Sequence, residues 1–263
     1  MTQHIEVATL SREGGRVARV TVCNPARLNV IGTPLMDGLI DAFTSLAVQE
    51  DLRVVVLAGE GPRAMIGGAD INEMAGLDPA RGRAFITRLH AVCTAVRSLP
   101  VPVIARMQGY SLGGGLEIAA ACDLRIAAAA AKFGMPEVKI GIPSVIEAAL
   151  LPQLIGWGRT RRLLYTGETI DAPTALAWGL VEEVVADAEL DAAIERVVAD
   201  ILACGPRAIR LQKALIREWE DLTPAHAIER GIDCFEEAWR SDEPTQRMAA
   251  FLAARKRRHT SGP

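Results

Sequence analysis

The sequence predicts an α/β core followed by a helical C-terminal region, on the basis of two patterns. Between residues 4 and 133, short apolar runs of strand length alternate with longer amphipathic segments, which is typical of βαβ units. From Ser144 onward, apolar residues recur at helical spacing almost throughout. We place the division so that residues 1–200 form the core and residues 201–263 form a helical region that packs on its own core or on a neighbouring subunit.

The first predicted elements are a hairpin, a helix and a buried strand. Residues 4–10 and 16–23 alternate loosely around a Glu-Gly-Gly turn, which predicts two paired strands. Thr33 with a proline behind it predicts a helix to about Val48. The segment 53–58 is continuously apolar after Arg53, as expected for a strand that is covered on both faces of a parallel sheet.

The middle of the chain predicts a Gly-Glu-Gly-Pro turn at residues 59–62, a loop at residues 65–70, a helix from about Pro79 to Ser98 and a strand at residues 101–107. A glycine turn then opens a helix at residues 113–122. The later predicted strands and helices follow from the same periodicities. They are strands at 123–128 and near Lys132, and helices at 144–155, 158–166, 171–178, 187–203, 205–219, 223–240 and 243–257.

Composition argues against several classes of protein. Half of the residues are hydrophobic, and 29 basic and 32 acidic residues give a formal net charge of -3, so neither nucleic-acid binding nor membrane-surface binding is expected. The five cysteines are odd in number and far apart, which favours a reducing cytoplasm over a disulfide framework. The N-terminal residues lack a signal-peptide core, and no apolar run reaches the ~20 residues that a membrane span requires.

The glycine turn at residues 113–115 is the segment most suggestive of chemistry. Consecutive glycines let the backbone approach a ligand closely, and the first amides of the helix that follows are positively polarised. Glu117 lies one turn into this otherwise apolar helix, where a carboxylate is costly unless it is paired or used. The turn is therefore expected to hold an anion or an oxyanion.

A competing interpretation treats residues 109–113, Gly-Tyr-Ser-Leu-Gly, as a serine-hydrolase nucleophile elbow. It makes Ser111 the nucleophile and requires a later acid and histidine. The later histidines, His226 and His259, fall among charged residues of the helical region, so we favour a small turn residue instead. No complete dinucleotide or P-loop pattern occurs, and the histidines lack metal-ligand spacing, so we expect no metal site.

Three segments in order resemble the signature segments of the enoyl-CoA hydratase/isomerase (crotonase) family. They are Gly-Gly-Ala-Asp-Ile-Asn-Glu-Met at 67–74, Gly-Tyr-Ser-Leu-Gly-Gly-Gly-Leu-Glu at 109–117, and Phe-Gly-Met-Pro-Glu at 133–137. Asn-Pro-Ala-Arg-Leu-Asn at 24–29 and the C-terminal segment at 248–252 also follow the family pattern. The resemblance therefore covers nearly the whole chain.

The resemblance implies a crotonase (ClpP-like) spiral of ββα units with a helical C-terminal trimerisation region. It implies an acyl-CoA substrate whose thioester oxygen lies between the backbone amides of Ala69 and Gly114. It also implies a homotrimer or dimer of trimers, a role in fatty acid metabolism, and no cofactor apart from the CoA of the substrate. Residues matched to substrate or CoA binding are Arg27, Leu28, Val30, Gly67, Gly68, Asp70, Ile71 and Gly113.

Both acids of the family's hydratase pair are present as Glu117 and Glu137. By resemblance, Glu117 activates a water that adds to C3 of a 2-enoyl-CoA, and Glu137 supplies a proton to C2. We therefore expect an enoyl-CoA hydratase, a lyase. The alternatives are an isomerase, hydrolase, decarboxylase or carbon-carbon lyase acting through the same enolate, or a non-catalytic acyl-CoA-binding relative.

One segment, residues 142–151, departs from the family pattern. Ile146 and a third acid, Glu147, stand where most family hydratases have a glycine pair. Ser144 and Glu147 fit the S-x-x-E capping box of a helix start, and we favour that interpretation. The alternative is that Ile146 and Glu147 modify the acyl pocket, so that the substrate is not a simple straight-chain enoyl-CoA.

Overall fold

The computed structural model describes residues 3–260, with the backbone alone for residues 256–260. The chain divides into two compact units, residues 1–199 and residues 200–263. No helix within the described range is long and apolar enough to cross a membrane.

The first unit contains two sheets. Their strands are β1 (His4–Arg12), β2 (Gly15–Cys23), β3 (Leu52–Gly59), β4 (Ala64–Ile66), β5 (Val103–Met107), β6 (Tyr110–Leu112), β7 (Leu124–Ala128), β8 (Lys132–Gly134), β9 (Thr169–Asp171) and β10 (Glu183–Val185). A six-stranded sheet has the order β1-β2-β3-β5-β7-β10, and a four-stranded sheet has the order β4-β6-β8-β9. Only the β1–β2 and β8–β9 pairs among these are antiparallel.

Helices alternate with these strands and then continue to the end of the described chain. They are α1 (Thr33–Ala47), α2 (Ile71–Met74), α3 (Pro79–Ser98), α4 (Gly114–Ala121), α5 (Leu151–Ile155), α6 (Trp157–Thr166), α7 (Ala172–Trp178), α8 (Leu190–Ala203), α9 (Pro206–Trp219), α10 (Pro224–Ala238) and α11 (Glu243–Thr260). Short 3₁₀ segments lie at Pro25–Arg27, Pro136–Ile140, Ile146–Leu150 and Asp187–Glu189.

The core of the first unit lies around the six-stranded sheet. Strand β3 is buried along its whole length, because it is a central strand with parallel neighbours on both sides. Helix α1 buries Leu35, Leu39 and Phe43 on one face, as its helical spacing predicts. Helix α3 begins at the side-chain cap of Asp78, whose carboxylate accepts from the Arg81 amide. The predicted hairpin, α1, β3 and α3 are therefore confirmed within a residue or two.

The four-stranded sheet positions the candidate site. Strands β4, β6 and β8 are parallel neighbours, so their carboxyl ends lie at one edge of the sheet. The segments that leave these ends are residues 67–69 after β4, residues 113–114 after β6 and residues 135–137 after β8. Three segments far apart in sequence are thereby brought side by side.

Several predicted elements were wrong. The predicted loop at 65–70 begins within β4, and β6 intervenes between the predicted strand at 101–107 and the glycine turn. Strands β9 and β10 interrupt the stretch predicted as helical after Ser144. Each of these strands has only three residues, too few for alternation to be detected, and each is fixed by pairing with a distant strand.

The predicted helix at 144–155 was also wrong at its start. Residues 144 and 145 are non-helical, a 3₁₀ segment covers Ile146–Leu150, and regular helix begins only at Leu151. Ile146 has a φ of +36°, in the left-handed region that a β-branched residue rarely adopts. The irregular backbone at this residue prevents one continuous helix.

The second unit consists of α9, α10, α11 and the end of α8. Within it, the Trp219 indole donates to the Ala227 carbonyl oxygen at 2.9 Å and joins the α9–α10 turn. Helix α10 exposes a stripe of large apolar side chains at helical spacing. They are Ile228, Ile232, Phe235 and Trp239 just beyond the helix end.

Candidate active site

The Gly113 turn lies at the junction of β6 and α4. Gly113 has a φ of +52°, its amide donates to the Gly134 carbonyl oxygen at 2.9 Å, and its carbonyl oxygen accepts from the Glu117 amide at 3.0 Å. The Gly114 amide is one of the first amides of the helix, which have no acceptor in the preceding turn. In the described part of the chain it donates to no protein group, so it is available to an anionic atom.

A second available amide belongs to Ala69. Ile31 donates to the Gly68 carbonyl oxygen and accepts from the Asp70 amide, both at 2.9 Å, in a parallel bridge. Because amides alternate in direction along an extended chain, the Ala69 amide points away from Ile31. It too has no acceptor within residues 3–260.

The two amide-bearing turns are neighbours. A Cβ atom placed on Gly68 would lie 3.2 Å from the Leu112 carbonyl oxygen, just before the Gly113 turn. The segment 67–69 therefore runs beside the start of α4, as parallel pairing of β4 with β6 requires. This arrangement provides two backbone donors of the kind that can stabilise an oxyanion.

Glu117 and Glu137 are brought together at the same edge. Glu117 is 3% exposed, and its Oε1 accepts from the Ala148 amide at 3.1 Å. Glu137 is half-buried, and its Oε1 would lie 2.4 Å from a Cβ atom on Gly113. The absence of a side chain at Gly113 therefore makes room for the Glu137 carboxylate.

Burial raises the pKa of both acids, and the charge of Glu137 adds to the shift at Glu117. Burial, followed by the charge of Glu137 and a smaller contribution from Glu147, raises the pKa of Glu117 to about 8, although the Ala148 amide opposes the shift. Burial also raises the pKa of Glu137, and the hydroxyl of Ser144, which donates to Glu137 Oε2 at 2.9 Å, partly opposes that rise. Two neighbouring acids of this kind hold a single proton over an interval near neutral pH.

The Ser144–Glu147 capping box was wrong. The Ser144 hydroxyl binds Glu137, and the 3₁₀ segment begins after Val145 without a side-chain cap. Glu147 is instead buried, with Oε1 2.9 Å from His90 Nδ1 on α3. Glu147 therefore does not cap a helix start, and its charge is close enough to contribute to the raised pKa of Glu117.

The predicted CoA-binding residues form a connected group around the segment after β2. Arg27 makes a bidentate ion pair with Asp70, with N–O distances of 2.7 and 2.8 Å, and this hydrogen-bonded pair lowers the pKa of Asp70. The Leu28 carbonyl oxygen accepts from the Gly67 amide at 2.8 Å. The Val30 carbonyl oxygen accepts from the Asn24 side chain at 3.0 Å. Ile71 is exposed at the start of α2.

From the sequence alone, no site role was assigned to Asn29 or His90, and Ser144 was assigned to a helix cap instead of to the site. Asn29 is fully buried, and its side-chain amide donates to the carbonyl oxygens of Glu60 and Ala64, which fixes the segment beside β4. Its place in the Asn-Pro-Ala-Arg-Leu-Asn segment was the available signal. Ser144 and His90 act through contacts across 7 and 57 residues, which no local pattern encodes.

The serine-hydrolase interpretation finds no support in the geometry. Ser111 lies within β6, is 0% exposed, and its hydroxyl has no hydrogen-bond partner within the described residues. A nucleophile of that class is exposed on a strained turn beside a histidine. His226 bonds the Thr223 hydroxyl in the second unit, and the side chain of His259 lies outside the described residues.

Comparison with known proteins gives consistent results. The family model described as enoyl-CoA hydratase/isomerase matches residues 12–262. The chain is 34% identical over 243 residues to the short-chain-enoyl-CoA hydratase of Clostridium acetobutylicum, covering 92% of this chain and 93% of that protein. It is also 34% identical over 242 residues to the crotonyl-CoA hydratase of Syntrophomonas wolfei, with the same coverage of each.

Solved structures agree with these sequence relatives. An enoyl-CoA hydratase from Bacillus anthracis superposes with a TM-score of 0.91 at 31% identity, covering 96% of this chain and 97% of that one. Pseudomonas aeruginosa DspI superposes with a TM-score of 0.89 at 30% identity, covering 97% and 96% of the two chains.

Proposed function

The chain belongs to the enoyl-CoA hydratase/isomerase family, and from that premise we propose that it adds water across the 2,3 double bond of a 2-enoyl-CoA. It is an enoyl-CoA hydratase with the crotonase-type α/β fold, so the predicted family, fold class and activity are confirmed. The roles of individual residues are proposals that rest on the geometry described above.

One observation carries the mechanism: two acids with raised pKa values meet beside a turn that offers a free backbone amide. Glu117 and Glu137 hold one water between them. Glu117 accepts a proton from this water as hydroxide adds to C3, and Glu137 delivers a proton to C2. Because one proton is shared by the pair, the site contains both an acceptor and a donor near neutral pH.

The thioester oxygen binds between the Ala69 and Gly114 amides. As hydroxide adds, negative charge develops on this oxygen, and donors fixed before the reaction stabilise it without reorganisation. Removing one such donor in other enzymes slows the reaction by about 10²–10³-fold. The parallel pairing of β4 with β6 fixes the relative position of the two turns and supports this role.

We assign CoA binding to the group around Arg27 and Asp70. The Arg27 guanidinium is partly exposed while paired with Asp70, so it is accessible to the phosphates of CoA. Asp70 also caps α2, which holds its carboxylate beside Arg27. Leu28, Val30 and Ile71 supply apolar contacts around these polar groups.

The wider context is also proposed. The exposed apolar stripe on α10 supports burial against other subunits in a trimer or a dimer of trimers. The reaction needs no metal or cofactor beyond the CoA of the substrate, since the two acids and two amides supply the donors and acceptors. We place the enzyme in the cytoplasm and in fatty acid metabolism.

The direct test is hydration of crotonyl-CoA, followed by loss of the enoyl-thioester ultraviolet absorbance. We expect wild-type activity, and a loss of about 10²–10⁴-fold in kcat/KM for Glu117→Gln and for Glu137→Gln. Ser111→Ala should remain active. If Ser111→Ala is inactive and Glu117→Gln is not, a serine mechanism replaces this one.

Two further outcomes would also contradict hydration. Release of free CoA thiol without hydration would show a thioester hydrolase. Thermal stabilisation by several enoyl-CoA esters without turnover would show a binding protein, because a ligand that binds only the native state raises its stability.

A further inference from the structure

Glu147 is a buried acid that the hydration mechanism does not use. It is 7% exposed, and its Oε1 lies 2.9 Å from His90 Nδ1. Its Oε2 is buried and has no hydrogen-bond partner among residues 3–260. A buried acceptor without a donor destabilises the native state, so this oxygen is expected to gain a donor when the site is occupied.

The backbone beside Glu147 carries a second cost. Ile146, directly before it, has a φ of +36°, which is unfavourable for a β-branched residue. Strain of this kind persists where surrounding structure enforces it, and it is concentrated at functional sites. The strained backbone and the unpaired carboxylate oxygen occur at consecutive residues.

Glu147 lies near Glu117, the acid that is proposed to act at C3 of the acyl chain. The next residue, Ala148, donates its amide to Glu117 Oε1 at 3.1 Å. On the α3 side, the Cys93 thiol faces both acids, and its pKa is raised well above the ordinary value, first by burial and then by the charge of Glu147. Glu147 thus directly precedes Ala148, whose amide binds Glu117, the acid proposed to activate the water that adds to C3.

The donor must come from outside this group. Cys93 on α3 makes a side-chain hydrogen bond with Glu147 that contributes to the raised pKa of its thiol, but no donor among the described residues reaches Glu147 Oε2. His90 is half-exposed, and its Nδ1 already contacts Glu147 Oε1. An unsubstituted alkyl chain has no donor, and a neutral hydroxyl suits a carboxylate that already has a histidine partner.

We propose that Glu147 accepts a hydrogen bond from a hydroxyl on the acyl chain, so that the preferred substrates are hydroxylated 2-enoyl-CoA esters. This inference rests on the proposed hydratase activity, because that activity places C3 of the acyl chain beside Glu117. His90 is a positioning residue in this arrangement: it holds the carboxylate with Oε2 free.

The test compares substrates that differ by one atom. The hydroxylated substrates are 4-hydroxy-2-butenoyl-CoA and 5-hydroxy-2-pentenoyl-CoA, and their isosteres are 2-pentenoyl-CoA and 2-hexenoyl-CoA. For at least one pair, we expect wild-type kcat/KM to favour the hydroxylated member by about tenfold or more, the usual range for a hydrogen bond to a charged group.

Variants assign the preference to Glu147. Glu147→Leu should abolish it, Glu147→Gln should retain part of it through the remaining carbonyl oxygen, and His90→Ala should reduce it. Glu6→Leu, which removes an exposed glutamate of β1, is the matched control and should retain the full preference. No preference in wild type, or a preference that survives in Glu147→Leu, would overturn the proposal.

Binding without turnover separates this inference from the activity itself. Saturated 4-hydroxybutyryl-CoA and valeryl-CoA are isosteres that cannot be hydrated, and their dissociation constants should differ in the same direction in wild type and converge in Glu147→Leu. If crotonyl-CoA is not hydrated but this binding difference is present, the proposed activity fails while hydroxyl recognition stands. Equal binding of the two esters in wild type overturns hydroxyl recognition even if crotonyl-CoA is hydrated.

Discussion

The main-chain amide of Ala148 donates a hydrogen bond to Glu117 Oε1. This bond connects the segment 142–151, which departs from the family pattern, to the most buried acid of the described chain. The same segment supplies the Ser144 hydroxyl to Glu137. Residues 144–148 therefore contact both acids, although neither acid lies within the segment. Substitutions in this segment should change the chemistry of the pair without removing either carboxylate.

The pH dependence of kcat/KM should be bell-shaped. The pH profile of kcat/KM depends on how many protons the pair holds in the free enzyme, and not on which acid holds them. Activity should therefore follow the fraction of enzyme in which the Glu117–Glu137 pair is singly protonated. With the pKa of Glu117 raised to about 8, activity should fall as the pH rises through about 8. It should rise on the acidic side above the ordinary glutamate range, because the pKa of Glu137 is also raised.

Crotonyl-CoA hydration measured between pH 5 and pH 9.5 checks this profile. Glu147→Gln should move the alkaline limb to lower pH, since the charge of Glu147 contributes to the raised pKa of Glu117. A plateau that continues above pH 9 would show that the pair needs no proton, and the two-acid mechanism would then be wrong.

Ser144→Ala should weaken catalysis by acting on Glu137. The Ser144 hydroxyl stabilises the ionised form of Glu137, so its removal should raise the pKa of Glu137 further and shift the acidic limb of kcat/KM to higher pH. The loss in kcat should be up to about tenfold, the usual range for one neutral hydrogen bond. Steady-state kinetics across pH measures both effects.

Ser45→Ala is the matched control for this substitution, because Ser45 is exposed on α1. It should leave both limbs of the profile unchanged. If Ser144→Ala lowers kcat without moving the acidic limb, the hydroxyl supports only the local structure and does not act through Glu137.

The contrast between Ser144 and α3 shows what the sequence could predict. Helix α3 was predicted at its observed bounds, because its cap and its apolar spacing are local signals. Ser144 and Glu147 offered an equally good local signal for a helix start, but Glu137 and His90 bind the two side chains instead. Tertiary contacts and the left-handed backbone at Ile146 overrode a correct local preference.

For the candidate site too, the sequence predicted the features that have a local signal and missed those that depend on tertiary contacts. Glu117 was predicted because a carboxylate in an apolar helix after three glycines is conspicuous in the sequence. The convergence of the turns at Gly68, Gly113 and Glu137 depends on β4, β6 and β8. Two of these three-residue strands were missed, since their stability comes from pairing with each other and not from their own composition.

Gly113→Ala should damage the site more than Gly114→Ala. A Cβ atom on Gly113 would lie 2.4 Å from Glu137 Oε1, and the φ of +52° is strained for alanine. A Cβ atom on Gly114 would meet the Leu89 side-chain end at 2.7 Å, which can move aside. We expect kcat to fall by about 10²-fold or more for Gly113→Ala, comparable to loss of an acid or base, and by much less for Gly114→Ala.

Steady-state kinetics together with thermal midpoints check this comparison. The midpoint of Gly113→Ala should fall modestly, by the equivalent of about 1–3 kcal/mol for a strained residue. Equal losses of kcat in the two variants would mean that Glu137 does not require the open space at Gly113.

Glu117→Gln should stabilise the protein increasingly as the pH rises. The pKa of Glu117 is raised from 4.5 to about 8 on folding, so between these values the native state binds a proton that the unfolded state does not. The contribution of Glu117 to the free energy of unfolding is therefore fully present below pH 4.5, and it is lost as the pH rises through about 8. Each unit of pH in this interval costs the wild type on the order of 1.4 kcal/mol, and glutamine carries no such dependence.

Urea unfolding of wild type and Glu117→Gln at pH 5 and at pH 8 measures this difference. The advantage of the variant should grow by up to about 4 kcal/mol between the two conditions, as the linkage predicts. Glu229→Gln, which changes an exposed glutamate of α10, should show a nearly constant difference from wild type. If the Glu117→Gln difference is also constant, Glu117 is ionised at little cost in the native protein, and the alkaline limb of the activity profile must then arise from another group.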